Sequence, residues 1–361
     1  MKRIITIAIV LAAALSSCTQ VNQEQPASEI AFMVARHSAL TKADYADYKD
    51  SYLNVPFGTY AWYKGVQEQD NGVYFANRQV GFDQANGRWI TVGRTYFWPG
   101  TGSLDFISYS PYSADGSNAP APVITENGIS YSTPWNVDAN QTVDVMYADK
   151  ATGLTGNRNT FNHGYEGVPT LFRHALSRIA FQLRAATTSI VTASGEITRW
   201  EIDVKRLSID NLFSTGTVDL TLAEDGSWTK PESNVWTPTD ATVRRTMNLD
   251  GIQTLTEDVQ SVGSFFALPQ ILDKQELLLT VDVRTYRDPR DGTGEKLIIE
   301  ETDVLCRASL ITEDIDRWGM NQYITYVLTI APVVDIESNL ILFDPAVADW
   351  DRKIAETEIV L

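Results

Sequence analysis

Hydrophobic and polar residues alternate along most of this chain with the two-residue period of β-strands. The alternation is cleanest in the second half, where Leu277, Leu279, Val281 and Val283 share one face of a strand. Segment 287–296 contains the turn-forming residues Gly, Pro and Asp, and a second β-rich run follows it. The pattern therefore predicts a hairpin centred on this segment.

Two-residue alternation also appears at both ends of the chain. Ile30, Phe32 and Val34 fall on one face of a predicted first strand, which spans residues 29–36. Near the C-terminus, alternate positions are Ala355, Thr357, Ile359 and Leu361, and Glu356 and Glu358 lie between them. Both segments have the pattern of a strand with one face buried.

Local signals refine this picture between the two ends. Asn71-Gly72 and Asn86-Gly87 are hairpin turn signals, because both residues tolerate the positive φ angles of tight turns. The apolar alternation shifts by one residue within 202–209, which predicts a β-bulge at Lys205-Arg206. Helical signals are few, and segments 39–50 and 312–322 are each expected to form about two turns. Many short strands separated by turns predict an all-β fold of two tandem β-sandwich domains.

The N-terminus has the layout of an export signal. Lys2 and Arg3 precede an apolar stretch, and the run Leu-Ser-Ser-Cys that ends at Cys18 resembles a lipobox. We expect residues 1–17 to be a lipoprotein signal peptide, Cys18 to carry the lipid, and residues 18–28 to be a polar tether. An ordinary cleaved signal with a chance cysteine is the alternative.

Net charge and cysteine content limit the partners and the disulfides that are possible for this protein. The full chain has a net charge of −17, and loss of residues 1–17 removes two positive charges and leaves −19. This acidity argues against nucleic acid as a partner, since phosphates require basic patches. Only two cysteines are present, and if Cys18 is lipidated Cys306 has no disulfide partner. Cys306 is therefore expected to be a small buried hydrophobic residue.

Candidate chemistry is sparse in this sequence. His37, His163 and His174 have no metal-ligand spacing, so we expect no metal and no cofactor. Nucleophile elbows and phosphate-binding loops are also missing from the sequence, which predicts a protein that is not an enzyme. Aromatic residues are frequent in the first half, and they either fill the core or form a sugar-binding platform that includes Trp62 or Trp135.

Six strings, in the same order along the chain, resemble the fimbrillin family of Bacteroidetes, the subunits of type V pili. They are "YFWPGTGSLDFISYSPY" (96–112), "VDVMYA" (143–148), "LFRHALSRIAFQLR" (171–184), "FFALPQIL" (265–272), "WGMNQYITYVLTI" (318–330) and "LFDPAVADWD" (342–351).

The resemblance implies two transthyretin-like or Ig-like β-sandwiches, at residues 29–170 and 171–361. It also implies export as an outer-membrane lipoprotein exposed at the cell surface, anchored through Cys18. A protease would then remove the lipidated segment together with the first strand, cutting after Lys42 or Arg36. By the same resemblance, His174 is a buried structural residue whose ring nitrogens bond to backbone.

In such pili a neighbouring subunit fills the emptied groove with an extended segment of its own. The tail 352–361 has the pattern of this donor strand, with Ala355, Thr357, Ile359 and Leu361 as inserted positions. The same alternation fits a last strand packed in its own domain, and both readings stay open at this point.

The sequence thus predicts a structural subunit of a cell-surface fimbria that serves adhesion and assembles with other fimbrial subunits by strand exchange. Stalk, anchor and tip roles remain open, as does a receptor on a host or bacterial surface. The alternative function is a surface lipoprotein that does not polymerise and binds glycans through exposed aromatic side chains.

Overall fold

The computed structural model describes residues 28–34, 54–115, 118–157, 159–161, 164, 166–222, 228–229, 233–249, 252 and 254–331, and the backbone alone of 35, 341–342 and 351–360. In this part of the chain the regular structure is β, apart from a three-residue 3-10 helix at Glu68–Asp70. The predicted all-β class is confirmed.

The described residues of the first half contribute ten strands. They are β1 (Ala31–Ala35), β2 (Phe57–Lys64), β3 (Gly72–Asp83), β4 (Arg88–Thr91), β5 (Ser103–Ser110), β6 (Val123–Thr125), β7 (Gly128–Asn136), β8 (Met146–Ala148), β9 (Ala151–Leu154) and β10 (Val168–His174). Eight of them form one sheet in the order β2-β3-β4-β1-β10-β8-β5-β9. Because β2 also pairs with β5, seven of these strands close into a ring.

The second half contributes the remaining strands. They are β11 (Ser177–Ala185), β12 (Ser189–Val191), β13 (Ile197–Leu212), β14 (Thr215–Leu222), β15 (Trp228–Thr229), β16 (Thr237–Pro238), β17 (Val243–Thr246), β18 (Gln260–Ala267), β19 (Gln270–Ile271), β20 (Glu276–Asp288), β21 (Lys296–Ser309), β22 (Arg317–Trp318), β23 (Gln322–Ala331), β24 (Ile341–Leu342) and β25 (Asp351–Val360).

Neighbouring residues on the ring's strands point to opposite faces, and each face has its own core. The inside of the ring is filled mainly by aromatic side chains: Phe32, Phe57, Phe75, Trp89, Tyr96, Trp98 and Phe106. The outer face packs against a smaller sheet of order β15-β14-β7-β6, with Trp62 and Ile107 on the ring side. The inner core is the one that contains the first strand.

The small sheet joins strands from both halves of the chain. β14 pairs antiparallel with β7, and β16 pairs with β14. Strands within residues 215–238 therefore belong to the same sheet as β6 and β7 of the first half. Trp236 stacks on Tyr131 and donates a 2.7 Å hydrogen bond from Nε1 to the carbonyl of Ala175. The predicted domain division at residue 170 stays a prediction, and these pairings cross it.

A third core lies between two sheets of the second half. One sheet has the order β18-β11-β23-β25-β24, and the other contains β12-β13-β20-β21, with β17 beside β13. Apolar residues on alternate positions of β11, β13, β20 and β23 meet there. The last strand, β25, thus belongs to the sheet that carries one wall of this core.

Two of the local predictions are confirmed. β20 and β21 form the predicted hairpin, with segment 289–295 between them. The register of β13 against β20 shifts between Val204 and Arg206, which places a bulge where the apolar alternation slips.

The hairpin signal at Asn86-Gly87 is also confirmed, because β3 and β4 pair antiparallel and residues 84–87 connect them, with Gly87 at a φ of +64°. Two other local predictions need correction. Asn71-Gly72 is not a two-residue turn, because Asn71 is extended and Gly72 already begins β3. Segment 312–322 is not helical, because Ile315, Trp318 and Met320 are all buried and β22 pairs with β19. Segment 39–50, the other predicted helix, lies outside the described residues.

Candidate functional site at the first strand

The first strand is one of the strands that form the ring, and it lies between β4 and β10. β1 runs parallel to β10, with Phe32 opposite Val168, and antiparallel to β4, with Phe32 opposite Trp89. The segment before β1 is also paired, since the amide of Ile30 donates to the carbonyl of Tyr96 at 2.8 Å. Both edges of this segment therefore carry backbone hydrogen bonds, as expected for an interior strand.

Alternate side chains of this segment enter the inner core. Ile30 is 0% exposed and Phe32 is 3% exposed, whereas the intervening Met33 is 50% exposed. The Phe32 ring packs edge-on against the rings of Phe57 and Phe106, at centroid distances of 5.6 and 5.9 Å. Val34 is partly buried against the same core. The predicted shared face of Ile30, Phe32 and Val34 thus points into the ring.

The outer face of the same segment carries an ion pair. A carboxylate oxygen of Glu29 lies 2.5 Å from a guanidinium nitrogen of Arg88 on β4. Ala31, the next outward position, is only 8% exposed. This face therefore accepts a charge at the first position and a small or apolar side chain at the second.

Gly167 lets the backbone of β1 approach β10 closely. Its φ is +136°, a conformation that side chains disfavour, and a Cβ there would lie 2.9 Å from the amide nitrogen of Met33. Sequence reasoning missed this residue and Arg88. A glycine just before the run Val168-Pro169 hints at a special backbone position, but only the strand order shows what lies against it.

Loss of the first strand would open a long socket in the inner core. Burying a large apolar side chain stabilises a fold by roughly 1.5–3 kcal/mol, so Ile30 and Phe32 together account for about 3–6 kcal/mol. β4 and β10 would also face each other across a gap with unpaired backbone groups, which is a template for another strand. Removal of β1 would thus leave an apolar socket and two unpaired strand edges side by side.

The C-terminal tail is a strand in its own chain. β25 runs parallel to β23, placing Ala355, Thr357 and Ile359 opposite Tyr326, Leu328 and Ile330, and its other edge meets the short β24. The three partner residues on β23 are fully buried. The side chains of the tail, and Leu361 altogether, lie outside the described residues, as do Cys18, Arg36 and Lys42.

His174 differs from its predicted environment. Its side chain is buried, and Nδ1 lies 2.9–3.0 Å from the carboxylate oxygens of Asp144, so this ring nitrogen bonds to a side chain rather than to backbone. Its own amide donates to Oδ1 of Asn321 at 3.2 Å. His174 therefore links β10 to the segments that contain Asp144 and Asn321. His37 and His163 lie outside the described residues.

The predicted aromatic platform is not at the surface. Trp62 and Trp135 are both buried in the core beneath the small sheet. Their side chains pack against apolar neighbours because alternate positions of β2 and β7 face that sheet interface. The glycan-binding alternative, as based on these two residues, is therefore not supported.

Other candidate chemistry can be assessed only for the described residues. Among them no group of three or more His, Cys, Asp or Glu side chains is arranged to hold a metal ion. Cys306 is a free thiol on β21 that is partly buried against the third core, not fully buried as expected, and this burial raises its pKa to about 11. Within the same part of the chain, no helix is long and apolar enough to cross a membrane.

A family model described as fimbrillin-like matches residues 41–350. A fimbrial protein from Bacteroides vulgatus is similar in structure, with a TM-score of 0.55 and 14% identity over 84% of this chain and 95% of that one. A candidate cell adhesion protein from Bacteroides uniformis has a TM-score of 0.48 and 17% identity, over 84% and 94% of the two chains. The tip fimbrial protein Mfa3 of Porphyromonas gingivalis has a TM-score of 0.30 and 7% identity, over 72% of this chain and 77% of that one. No curated protein matches the sequence.

Proposed function

The chain belongs to the fimbrillin-like family, and from this premise we propose that it is a structural subunit of a cell-surface fimbria that serves adhesion. Membership of this family indicates a non-enzymatic structural protein. In the proposal the protein is exported as a lipoprotein acylated at Cys18. A protease then cuts after Lys42 or Arg36, and the subunit assembles with other subunits by strand exchange.

The observation that carries this proposal is the position of β1. Among the described residues it is the first strand along the chain, yet it lies between β4 and β10 inside the sheet. A single cut after residue 36 or 42 therefore separates a central strand from the strands that follow it, and it falls within none of the strands that the structure describes. A strand in the middle of the chain would need two cuts.

The energetic consequence favours a replacement strand. Domains of this kind have total stabilities of about 5–15 kcal/mol. The loss of about 3–6 kcal/mol of apolar burial at Ile30 and Phe32 is a large part of that total. A segment that refills both sockets and both backbone edges restores these interactions, and two subunits become joined.

The proposed donor is the tail 352–361 of a neighbouring copy, with Ile359 and Leu361 as the inserted anchors. Its alternating pattern supports this role. In the isolated chain the tail pairs with β23, so donation requires this pairing to open. The buried residues of β23 keep their contacts with β11 and the third core, and the second half of the chain is expected to remain folded without the tail.

Deletion of residues 354–361 tests the donor. We expect the deleted protein to stay folded and monomeric after the first strand has been removed, while the full tail supports polymers. Circular dichroism and size-exclusion chromatography with light scattering distinguish the outcomes. Loss of the fold itself on deletion would show that the tail is a structural strand and would contradict the donor role.

N-terminal sequencing of the surface-assembled form tests the processing step. The proposal predicts a new N-terminus at Ala43 or His37. An intact acylated Cys18 in assembled fibres would exclude maturation by this cleavage.

A further inference from the structure

The outer face of the first strand has a charge pattern that the C-terminus of the chain repeats. We infer that the tail of a second copy enters the groove in a single register, in which Glu358 takes the place of Glu29 and pairs with Arg88. This inference rests on the proposed function and specifies its partner: residues 358–361 of another copy of this chain.

Arg88 loses its ion-pair partner when the first strand leaves. Its guanidinium contacts the carboxylate of Glu29 at 2.5 Å, and Glu29 lies on the segment removed by either cut. Asp83 is opposite Arg88 on β3 and attracts it electrostatically, but its carboxylate oxygens accept hydrogen bonds from the amide of Ala85 at 3.0 Å and from Nδ2 of Asn86 at 2.6 Å. A guanidinium on β4 thus becomes available beside the emptied groove.

The tail offers a close match to the segment that departs. Residues 29–32 read Glu-Ile-Ala-Phe, and residues 358–361 read Glu-Ile-Val-Leu. In this register Ile359 replaces Ile30 in the fully buried socket, Leu361 replaces Phe32, and Val360 occupies the covered outward position of Ala31. The three apolar side chains of the tail occupy apolar sites, and the carboxylate of Glu358 lies beside the guanidinium of Arg88.

Other registers place unsuitable side chains in the same sites. A shift of two residues that puts Glu356 at position 29 places Thr357 in the Ile30 socket and Glu358 at Ala31, which is 8% exposed. Burying a carboxylate or an unpaired hydroxyl costs free energy that the other register avoids. A further shift of two puts Ala355 in the Ile30 socket and leaves a cavity. A shift of one residue turns both glutamates towards the inner core.

The chain is long enough to make this contact between two copies. Residues 332–357 separate the end of β23 from Glu358, and 26 extended residues span at most about 85 Å. That length exceeds the dimensions of a single domain of this size, for which the radius of gyration is about 15 Å. The tail of one copy can therefore reach the groove of the next once its pairing with β23 opens.

A charge exchange with a matched control tests the register. Every variant carries the same specific protease site after Lys42, and assembly after cleavage is followed by light scattering at low salt. The variants are Arg88→Glu, Glu358→Arg and Glu356→Arg, and the two double variants that combine Arg88→Glu with each tail substitution. Thermal unfolding of the uncut proteins checks that each variant folds.

We expect Arg88→Glu and Glu358→Arg each to slow assembly about 2- to 5-fold, the range expected for a solvent-exposed ion pair. The Arg88→Glu/Glu358→Arg double variant should return close to the wild-type rate. Glu356→Arg should have little effect, and it should not rescue Arg88→Glu.

The outcomes separate this inference from the proposed function. If the wild type assembles but Glu356→Arg acts like Glu358→Arg, or if the Arg88→Glu/Glu358→Arg variant shows no recovery, the register is wrong and strand exchange stands. If the cut wild type forms no polymer at all, the proposed function is refuted and this register with it.

Discussion

Replacement of Phe32 by alanine is expected to destabilise the uncut protein by about 3–5 kcal/mol, the usual cost of removing a buried phenylalanine ring. The ring is 3% exposed and packs edge-on against Phe57 and Phe106 inside the ring of strands. A methyl group in its place leaves a cavity between rigid aromatic neighbours, which have little freedom to close it.

Met33 supplies the matched control. It is the next residue on the same strand and is 50% exposed on the outer face. Met33→Ala therefore keeps the backbone pairing of β1 and removes mostly solvent-exposed surface, for which about 0.5 kcal/mol is typical. The difference between the two variants isolates the contribution of the inner socket from that of the strand's backbone.

Urea unfolding followed by tryptophan fluorescence measures this difference, since Trp89 and Trp98 line the inner core. A second measurement uses protein cut after Lys42, where the first strand is held only by non-covalent contacts. There Phe32→Ala should accelerate exchange of the strand for a competing peptide by more than 100-fold, if 3 kcal/mol or more is lost from its docking. Met33→Ala should change this rate little.

The reasoning is refuted if the two variants unfold at the same urea concentration and release the cut strand at the same rate. That result would mean that Phe32 does not occupy a packed socket. The first strand would then contribute only backbone pairing, and its loss would leave no specific vacancy for another copy.

Further predictions address three individual residues. Gly167→Ala should destabilise the uncut protein more than Gly292→Ala, because both glycines have positive φ but only Gly167 faces the backbone of β1; equal losses in thermal unfolding would contradict the close approach. Native Cys306 should react slowly with iodoacetamide at pH 8 and fast after unfolding, because burial raises its pKa to about 11. The same raised pKa favours the folded state below pH 9, and this contribution to stability should be lost as the pH rises towards 11, while Cys306→Ala should lack this dependence. His174→Ala should cost about 1–3 kcal/mol in urea unfolding because it removes a hydrogen-bond partner of the buried Asp144 carboxylate, and an unchanged midpoint would argue against that contact.

Much of the fold follows from local pattern. Strand identity, the hairpin between β20 and β21 and the bulge near Lys205 depend on alternation and turn residues, which act over a few positions. The error at 312–322 has the opposite origin. Its spacing of apolar residues is compatible with a helix, but burial of Ile315 and Trp318 and pairing with β19 decide the conformation.

Only part of the candidate site can be predicted from the sequence. The buried face of Ile30, Phe32 and Val34 is visible in the alternation, because a half-buried strand has period two. The alternation does not show which strands lie beside β1. Its neighbours β10 and β4 are far from it along the chain, and their pairing with it depends on the whole topology. Arg88 and Gly167 acquire their significance only through those pairings.

Electron microscopy of the purified protein after a specific cut following Lys42 tests the central claim most directly. The account predicts filaments whose subunits begin at Ala43 and lack the first strand, and it predicts none from uncut protein. Subunits that lose residues 1–42 and remain stable monomers would show that the vacated groove is not the site where another copy binds.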